Sequence, residues 1–413
     1  MDTISETLII CEGYPSKDEP AGMFVHKRVK FYQSKGLKLH PNILSIKPFL
    51  GTVVNHRKLS RPTLSRVYDG VKIIEGSESI IREALDKRTI GTVCVHFLSA
   101  AIFRAIRPYL GKIRLIVWLH GWEIQPWWRR KFNLRHVTPV RKFAVKLYSM
   151  RRMKFFRELF ATSTTINSDI HFVFVSQYFA DEVMEDYKLK LPESIYTIIH
   201  NGIDTEKFRY EEKSAEQRKN IFICRPWSTR PPNTTNYSND LIIKSIIAIS
   251  KEEEFSDMQF YITGKGHYFN DWTKALREFS NIKLENRFFT HEELFSILKD
   301  FGVCFNPTRS DTQGVFRDEA MSSGLVPITN AVAAISEFCD ESCAMLVPAE
   351  DWQGMADAML ELYHNPDLFC NLSRNAAARV RKQSDMNLMI QREIELITYP
   401  GNQPHNKSHS AQS

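Results

Sequence analysis

Asn306-Pro307-Thr308-Arg309-Ser310-Asp311-Thr312-Gln313-Gly314-Val315-Phe316-Arg317-Asp318-Glu319-Ala320-Met321-Ser322-Ser323-Gly324 carries three local signals in a row. The apolar run Val303–Pro307 reads as a buried strand, the residues after it as a polar loop, and the remainder as a short helix stopped by Gly324. Gly314 permits close backbone approach, and the helix start offers unpaired N–H groups with the positive end of a dipole, a place for phosphate. Asp311 and Glu319 flank that place; carboxylates repel phosphate but accept hydrogen bonds from sugar hydroxyls. The combination suits a ligand that is part phosphate and part sugar. It equally suits an ordinary β–loop–α turn with solvated acids.

Working outward, the same strand-to-helix alternation fills the chain. Strand-like runs are Thr7–Cys11, Leu39–Ile46, Val71–Glu75, Thr92–Leu98, Leu115–His120, Phe172–Ser176 and Tyr196–His200. Later ones are Ile221–Arg225, Gln259–Thr263, Leu325–Thr329 and Ala344–Val347. Several are continuous apolar blocks, as parallel strands covered on both faces require. Helical patterns fall at Asp240–Lys251, Asp271–Phe279, His291–Asp300 and Asp351–His364, the third opened by a Thr290/Glu293 capping box. The expectation is an α/β protein. At 413 residues, more than a single core supports, it divides into two doubly wound, Rossmann-like domains facing a central cleft. The boundary falls after the Asn201-Gly202 turn, giving 1–203 and 204–382, with a helix at 383–398 returning to the first domain. Residues 399–413 lack apolar periodicity and read as disordered. In such sheets ligands gather at the carboxyl ends of the strands. His120, at the tip of Leu115–Leu119 and followed by Gly121, then projects into the cleft, though it also fits a capped loop histidine. His96 ends the preceding strand and is a further candidate.

The Asp311 region resembles the signature of the retaining glycosyltransferases of family 4, which have the GT-B fold. Their pattern is E-x(7)-E within P-S-x-x-E-G-F-G-x-x-x-x-E-A-M-A-x-G-x-P-V. Asp311 and Glu319 keep its spacing, Thr312-Gln313-Gly314 replaces G-F-G, and Glu319-Ala320-Met321 and Gly324-Leu325-Val326-Pro327 match. His200-Asn201-Gly202-Ile203-Asp204 matches the family's junction motif, and the likeness runs from about Tyr14 to Ile397. The resemblance implies that Asp311 meets the donor sugar, that the amides of Thr312, Gln313, Gly314 and Val315 contact sugar and phosphate, and that Glu319 binds ribose. It implies that Arg225 and Arg230 neutralise the diphosphate leaving group, although the loop around Arg230 is unlike the family's and suits a solvated cation as well. Gly264 of Gly264-Lys265-Gly266 would line the nucleotide cleft, and Phe288, beside Phe289, would lie in the nucleobase loop; a tight turn and core packing are the alternatives. Gly22, left from a Gly-Gly pair after Pro20-Ala21, would approach the diphosphate, and His120 would touch donor or acceptor sugar. At the first carboxylate of the signature the chain departs, with Asp311 for Glu, one methylene shorter.

Charge is unevenly spread. The total is +7, yet eleven Lys or Arg and no Asp or Glu lie between Trp128 and Arg157. Arg141, Lys142, Lys146, Arg151 and Arg152 interleave there with apolar residues at helical spacing, behind Trp127-Trp128. Such a segment reads as a surface for anionic membrane or for an anionic acceptor such as a lipid pyrophosphate; a solvated helix face is the other reading. No run approaches the roughly 20 apolar residues of a membrane span. Met1–Glu6 is acidic where a signal peptide is basic. Seven cysteines without a C-x-x-C pair point away from zinc and disulfides and toward a reducing cytoplasm.

The expectation is a cytoplasmic enzyme, peripheral on the inner face of the membrane. It would move a hexose from a nucleotide-diphosphate sugar to a saccharide or lipid-linked acceptor in surface polysaccharide or glycolipid assembly. No cofactor and no metal are called for, the sugar nucleotide being a substrate and cations replacing metal. The alternative is a catalytically silent GT-B scaffold. Nucleic acid is set aside, because the rest of the cleft lacks interleaved aromatic and basic residues.

Overall fold

The computed structural model describes residues 6–16, 22–46, 63–87, 89–164 and 169–399. The N-terminal residues 1–5, the Pro20-Ala21 pair and the tail from 400 onward lie outside the described residues.

Two α/β layers carry the chain. The first sheet contains β1 (Glu6–Cys11), β2 (Ile43–Ile46), β3 (Leu64–Tyr68), β4 (Val71–Gly76), β5 (Ile90–His96), β6 (Arg114–Leu119), β7 (Ile170–Phe174) and β8 (Tyr196–Ile198). Their order is β3-β4-β2-β1-β5-β6-β7-β8, parallel throughout except for the β3–β4 pair. The second contains β9 (Asn220–Cys224), β10 (Gln259–Thr263), β11 (Ile282–Glu285), β12 (Val303–Phe305), β13 (Val326–Asn330) and β14 (Met345–Val347). Its order, β11-β10-β9-β12-β13-β14, is wholly parallel. In each sheet the order reverses beside the first strand, at β1/β5 and at β9/β12, and this is where a doubly wound sheet opens a crevice. The runs read as continuous apolar blocks are the buried ones: β6 and β7 are covered along their whole length.

Two strands have no counterpart in the sequence reading. β3 is an antiparallel edge strand with exposed Leu64, Ser65 and Val67, and β11 is an edge strand alternating Ile-Lys-Leu-Glu. Edges lack the apolar block by which the central strands are recognised. The helix expected over Asp271–Phe279 is two short pieces, Phe269–Thr273 and Lys274–Leu276, and of Leu39–Ile46 only Ile43–Ile46 is strand.

The helix Met386–Thr398 packs on the first sheet, its Met386, Met389, Ile390 and Ile397 sharing a core with Ile9, Val29 and Trp118. A buried ion pair fastens it, Arg28 Nε to Glu393 Oε1 at 2.8 Å, with Tyr32 donating to the other carboxylate oxygen. Arg28 Nη2 also reaches Asn201 Oδ1 at 2.9 Å, so the turn between the sheets and the last helix are fixed by one guanidinium.

Candidate active site in the cleft

Asn306 follows β12, and the loop from Thr308 to Gly314 crosses the cleft face. Thr308 N–H donates to Asn330 Oδ1 and Thr308 Oγ1 to Asn236 O, which holds the loop's first half. Asp311 Oδ1 accepts its own loop's Gln313 N–H at 3.2 Å. Gln313 is buried: its side chain accepts from Asn201 N–H at 2.6 Å and donates to Asn201 O at 2.9 Å. Neither its amide nor its side chain is therefore free for a donor, and the residue ties the loop to the Asn201-Gly202 turn. Gly314 takes φ +96° at the start of the helix Val315–Ser322, whose first amides have no intrahelical acceptor.

Glu319, just over one turn into that helix, is buried, and its Oε1 meets Lys27 Nζ at 2.8 Å and His291 Nε2 at 3.3 Å. Burial pushes its carboxyl up, but Lys27 and His291 outweigh that and hold it down at about 2. Lys27 comes from the helix Met23–Ser34, which Gly22 (φ +81°) precedes; His291 opens the helix whose Thr290/Glu293 capping box is formed as expected. Neither Lys27 nor His291 was singled out from the sequence.

From the first sheet, His120 follows β6 and His96 ends β5. Their rings stack with centroids 5.3 Å apart, and His96 Nδ1 and His120 Nε2 share a hydrogen bond of 3.0 Å. Burial, with Arg28 nearby, keeps both imidazoles well below the usual histidine range, so they are neutral. His120 Nδ1 is buried without a hydrogen-bond partner among the described residues. The main chain here touches the second domain: Thr312 Oγ1 donates to His120 O at 2.8 Å. Gly121 makes this approach feasible, since it takes φ +132° and a Cβ there would lie 2.9 Å from Thr312 Cγ2. Glu123, whose carboxylate accepts from His120 N–H, is buried and pushed up to about 7 by desolvation.

Arg225 follows β9, is buried, and donates from Nη2 to Pro307 O at 2.8 Å. Arg230 is exposed, and among the described residues no contact joins it to Arg225, Asp311 or Glu319. Gly264 packs against Arg225; a Cβ at Gly264 would fall 1.7 Å from Arg225 O. The Asn286–Phe289 loop is tied to Gly264-Lys265-Gly266 through Gly264 N–H to Arg287 O and Gly266 N–H to Asn286 Oδ1. Phe289 packs on Tyr261, whereas Phe288 is 37% exposed. A cavity of about 770 Å³ opens at the β10–β11 edge between Tyr261, Lys283, Phe289 and Phe301, and His120, Arg225, Asp311 and Glu319 do not line it. Among the described residues no three His, Cys, Asp or Glu are grouped to hold a metal ion.

The basic segment forms the 3-10 turns Trp127–Leu134 and the helix Pro139–Ser163. Its second half is core, with Phe156, Leu159 and Phe160 buried. Its first half leaves Val140, Phe143, Leu147, Tyr148 and Met150 exposed beside Arg141 and Arg151, with Lys142 half-buried and Lys146 over the Trp127 ring. Two of the residues expected on this surface turn inward instead. Trp128 donates its indole N–H to Asp186, and Arg152 donates to Gln125 O. No described helix is long and apolar enough to cross a membrane.

Residues 233–365, which include the Asp311–Glu319 stretch, match a family described as glycosyl transferases group 1. No curated protein sequence matches the chain. A glycosyltransferase from Rickettsia africae ESF-5 is similar in structure, with 13% identity and TM-score 0.65 over 95% of this chain and 98% of that one. Sucrose-phosphate synthase from Thermosynechococcus elongatus is similar with 12% identity and TM-score 0.66, over 95% and 98%. Anabaena HepE in complex with UDP and glucose gives 11% and 0.61, over 95% and 99%. The fold is GT-B, and with the group 1 match it supports a glycosyltransferase of that type.

Proposed function

We propose that the protein is a retaining glycosyltransferase that moves a hexose from a nucleotide-diphosphate sugar to a saccharide or lipid-linked acceptor. One observation carries the reading: the Asp311–Val315 loop meets His120 across the cleft, Thr312 Oγ1 on His120 O at 2.8 Å, with Arg225 buried beside it. Asp311 accepts from donor-sugar hydroxyls, neutral His120 exchanges a hydrogen bond with a sugar hydroxyl, and Arg225 takes the diphosphate. Glu319, ionised at every physiological pH, accepts from the ribose while Lys27 and His291 hold its other oxygen. Gly22, Gly264 and Phe288 border the nucleotide. No cofactor or metal enters. The exposed face of the helix Pro139–Ser163 rests on the anionic inner surface of the membrane, where surface polysaccharide or glycolipid is assembled. That a GT-B relative is seen with UDP and glucose is in keeping with such a donor.

Transfer or slow hydrolysis of a sugar-nucleotide panel tests this. For the donor that is turned over, Asp311→Ala is expected to cost about 100-fold in kcat/KM, the loss of a hydrogen bond to a charged group, with nucleoside diphosphate affinity little changed. Wild-type turnover by both Asp311→Ala and Glu319→Ala would remove both assignments. A second reading, a silent GT-B scaffold, is favoured by the Lys27–Glu319 contact itself, which closes one oxygen of the nucleotide carboxylate. It predicts that no sugar nucleotide raises Tm, whereas a ligand at 100 times its Kd adds about 2.7 kcal/mol.

A further inference from the structure

The loop that departs from the family likeness, Pro231–Ser238, clasps the first domain. Thr234 Oγ1 donates to Phe132 O at 3.3 Å, and Asn236 Oδ1 accepts from Arg130 Nη2 at 3.4 Å. Arg130 stands at the break in the Trp127–Leu134 turns (φ −122°, ψ 37°) and reaches over to the second domain from there. Its Nε is buried without a hydrogen-bond partner among the described residues; so are Nε of Arg225 and Nε of Arg152. Arg130 and Arg225, one from each domain, share Asp311 and Tyr237 among their electrostatic neighbours, Arg152 adds a further cation beside Arg130, and the Arg225 guanidinium lies 5.7 Å from the Tyr237 ring centroid. Among the described residues neither forms an ion pair with Asp311. The other acid near Arg130 is Glu123, which burial brings to about 7. Positive charge and unused donors are thus in excess in a buried place, and buried charge calls for a partner.

We propose that Arg130 is the second cation on the donor diphosphate, opposite Arg225, in the role that the family resemblance gives to Arg230. The proposal rests on the nucleotide-sugar reading above. Guanidinium binds phosphate through paired N–H groups, and Arg230 is exposed and joined to neither Arg225 nor Asp311. As the bond from the sugar's anomeric carbon to the β-phosphate oxygen breaks, its electron pair passes to that oxygen. The acceptor oxygen forms the new bond to the anomeric carbon, and its proton goes to the departing phosphate. Arg130 and Arg225 face the charge that grows there. Because they come from different domains, closing the cleft and completing the diphosphate site become one event.

Calorimetric titration with UDP, GDP and ADP, each beside its nucleoside, tests the assignment on the full chain. For the diphosphate that wild type binds, Arg130→Gln is expected to weaken binding about tenfold or more while nucleoside affinity is unchanged. Arg230→Gln is expected to stay within about twofold, and Arg130→Lys to fall between. A merely structural Arg130 would shift nucleoside and diphosphate together. Wild-type diphosphate affinity in Arg130→Gln, or the loss appearing in Arg230→Gln instead, overturns the proposal. Should Arg130→Gln not fold, Arg130→Lys gives the same reading, and unchanged affinity there overturns it. If wild type binds none of the three diphosphates, the donor reading itself fails and takes this one with it.

Discussion

Lys27 Nζ lies 2.8 Å from Glu319 Oε1, so an ammonium from the helix after β1 sits on a carboxylate of the second domain with both groups nearly out of solvent. The pair joins the two halves at the point where the nucleotide is proposed to bind.

Its first consequence is a pH dependence with a definite sign. Glu319 is depressed from 4.5 to about 2, so its stabilisation is complete above 4.5 and is lost as pH falls toward 2. The amount is on the order of 3 kcal/mol for a shift of that size. Lys27→Met should remove most of this window and also cost about 3 kcal/mol or more at neutral pH, because a buried carboxylate loses its main partner. Urea melts of both proteins at pH 7 and pH 3 measure it. Equal acid losses in wild type and Lys27→Met would show that the pair contributes nothing.

The histidine pair has the opposite chemistry but the same direction. His96 and His120 are held neutral, far below 6.5, so the unfolded chain takes up protons that the folded chain refuses. Stability is therefore full above about 6.5 and falls as pH drops below it, by about 1.4 kcal/mol per pH unit for each histidine. His96→Phe should halve that slope between pH 6 and pH 5, and an unchanged slope would mean that His96 is protonated in the fold.

These groups also mark how far the sequence could be read. The central parallel strands, the turn at Asn201-Gly202 and the Thr290 capping box were legible, because each is set by a local pattern. The strand–loop–helix unit that holds Asp311, Gly314 and Glu319 was legible, because its apolar run, polar loop and closing Gly324 lie next to one another in the chain. Lys27, His291 and Arg130 were not: each is an ordinary helix or turn residue that matters only through a group more than 25 residues away. Gln313 reads as a donor contact only through the family resemblance of its loop, and packing shows it spent on Asn201. Gly121 carries a local signal of its own, for a glycine after a strand-tip histidine is where another chain segment can come close.

Gly121→Ala tests that approach. A Cβ would meet Thr312 Cγ2 at 2.9 Å on a backbone of φ +132°, so strain of about 1–3 kcal/mol is expected, relieved by parting the His120 and Thr312 main chains. The variant should keep nucleoside affinity, which the proposed ribose and base contacts of the second domain supply, and lose transfer by tenfold or more, since about 1.4 kcal/mol at the reacting geometry is enough for that. Thr312→Ser in the same background removes the opposing methyl and should restore much of the loss. If Gly121→Ala transfers sugar as wild type does, the closed cleft is not the reacting form.

The exposed helix face makes the last prediction. Val140 is 80% and Phe143 69% exposed, and with Leu147 and Met150 they follow one another at helical spacing between cations. Burying one such side chain in a lipid interface is worth about 1.5–3 kcal/mol, and each neighbouring cation about 1 kcal/mol near anionic lipid. Phe143→Ser with Leu147→Ser should therefore weaken cosedimentation with phosphatidylglycerol-containing vesicles by tenfold or more, while turnover of a water-soluble acceptor stays the same. Binding by wild type should fall as salt rises, whereas vesicles of phosphatidylcholine alone should bind weakly at any salt. Equal binding to both lipids, or none to either, would leave the apolar face to a protein partner.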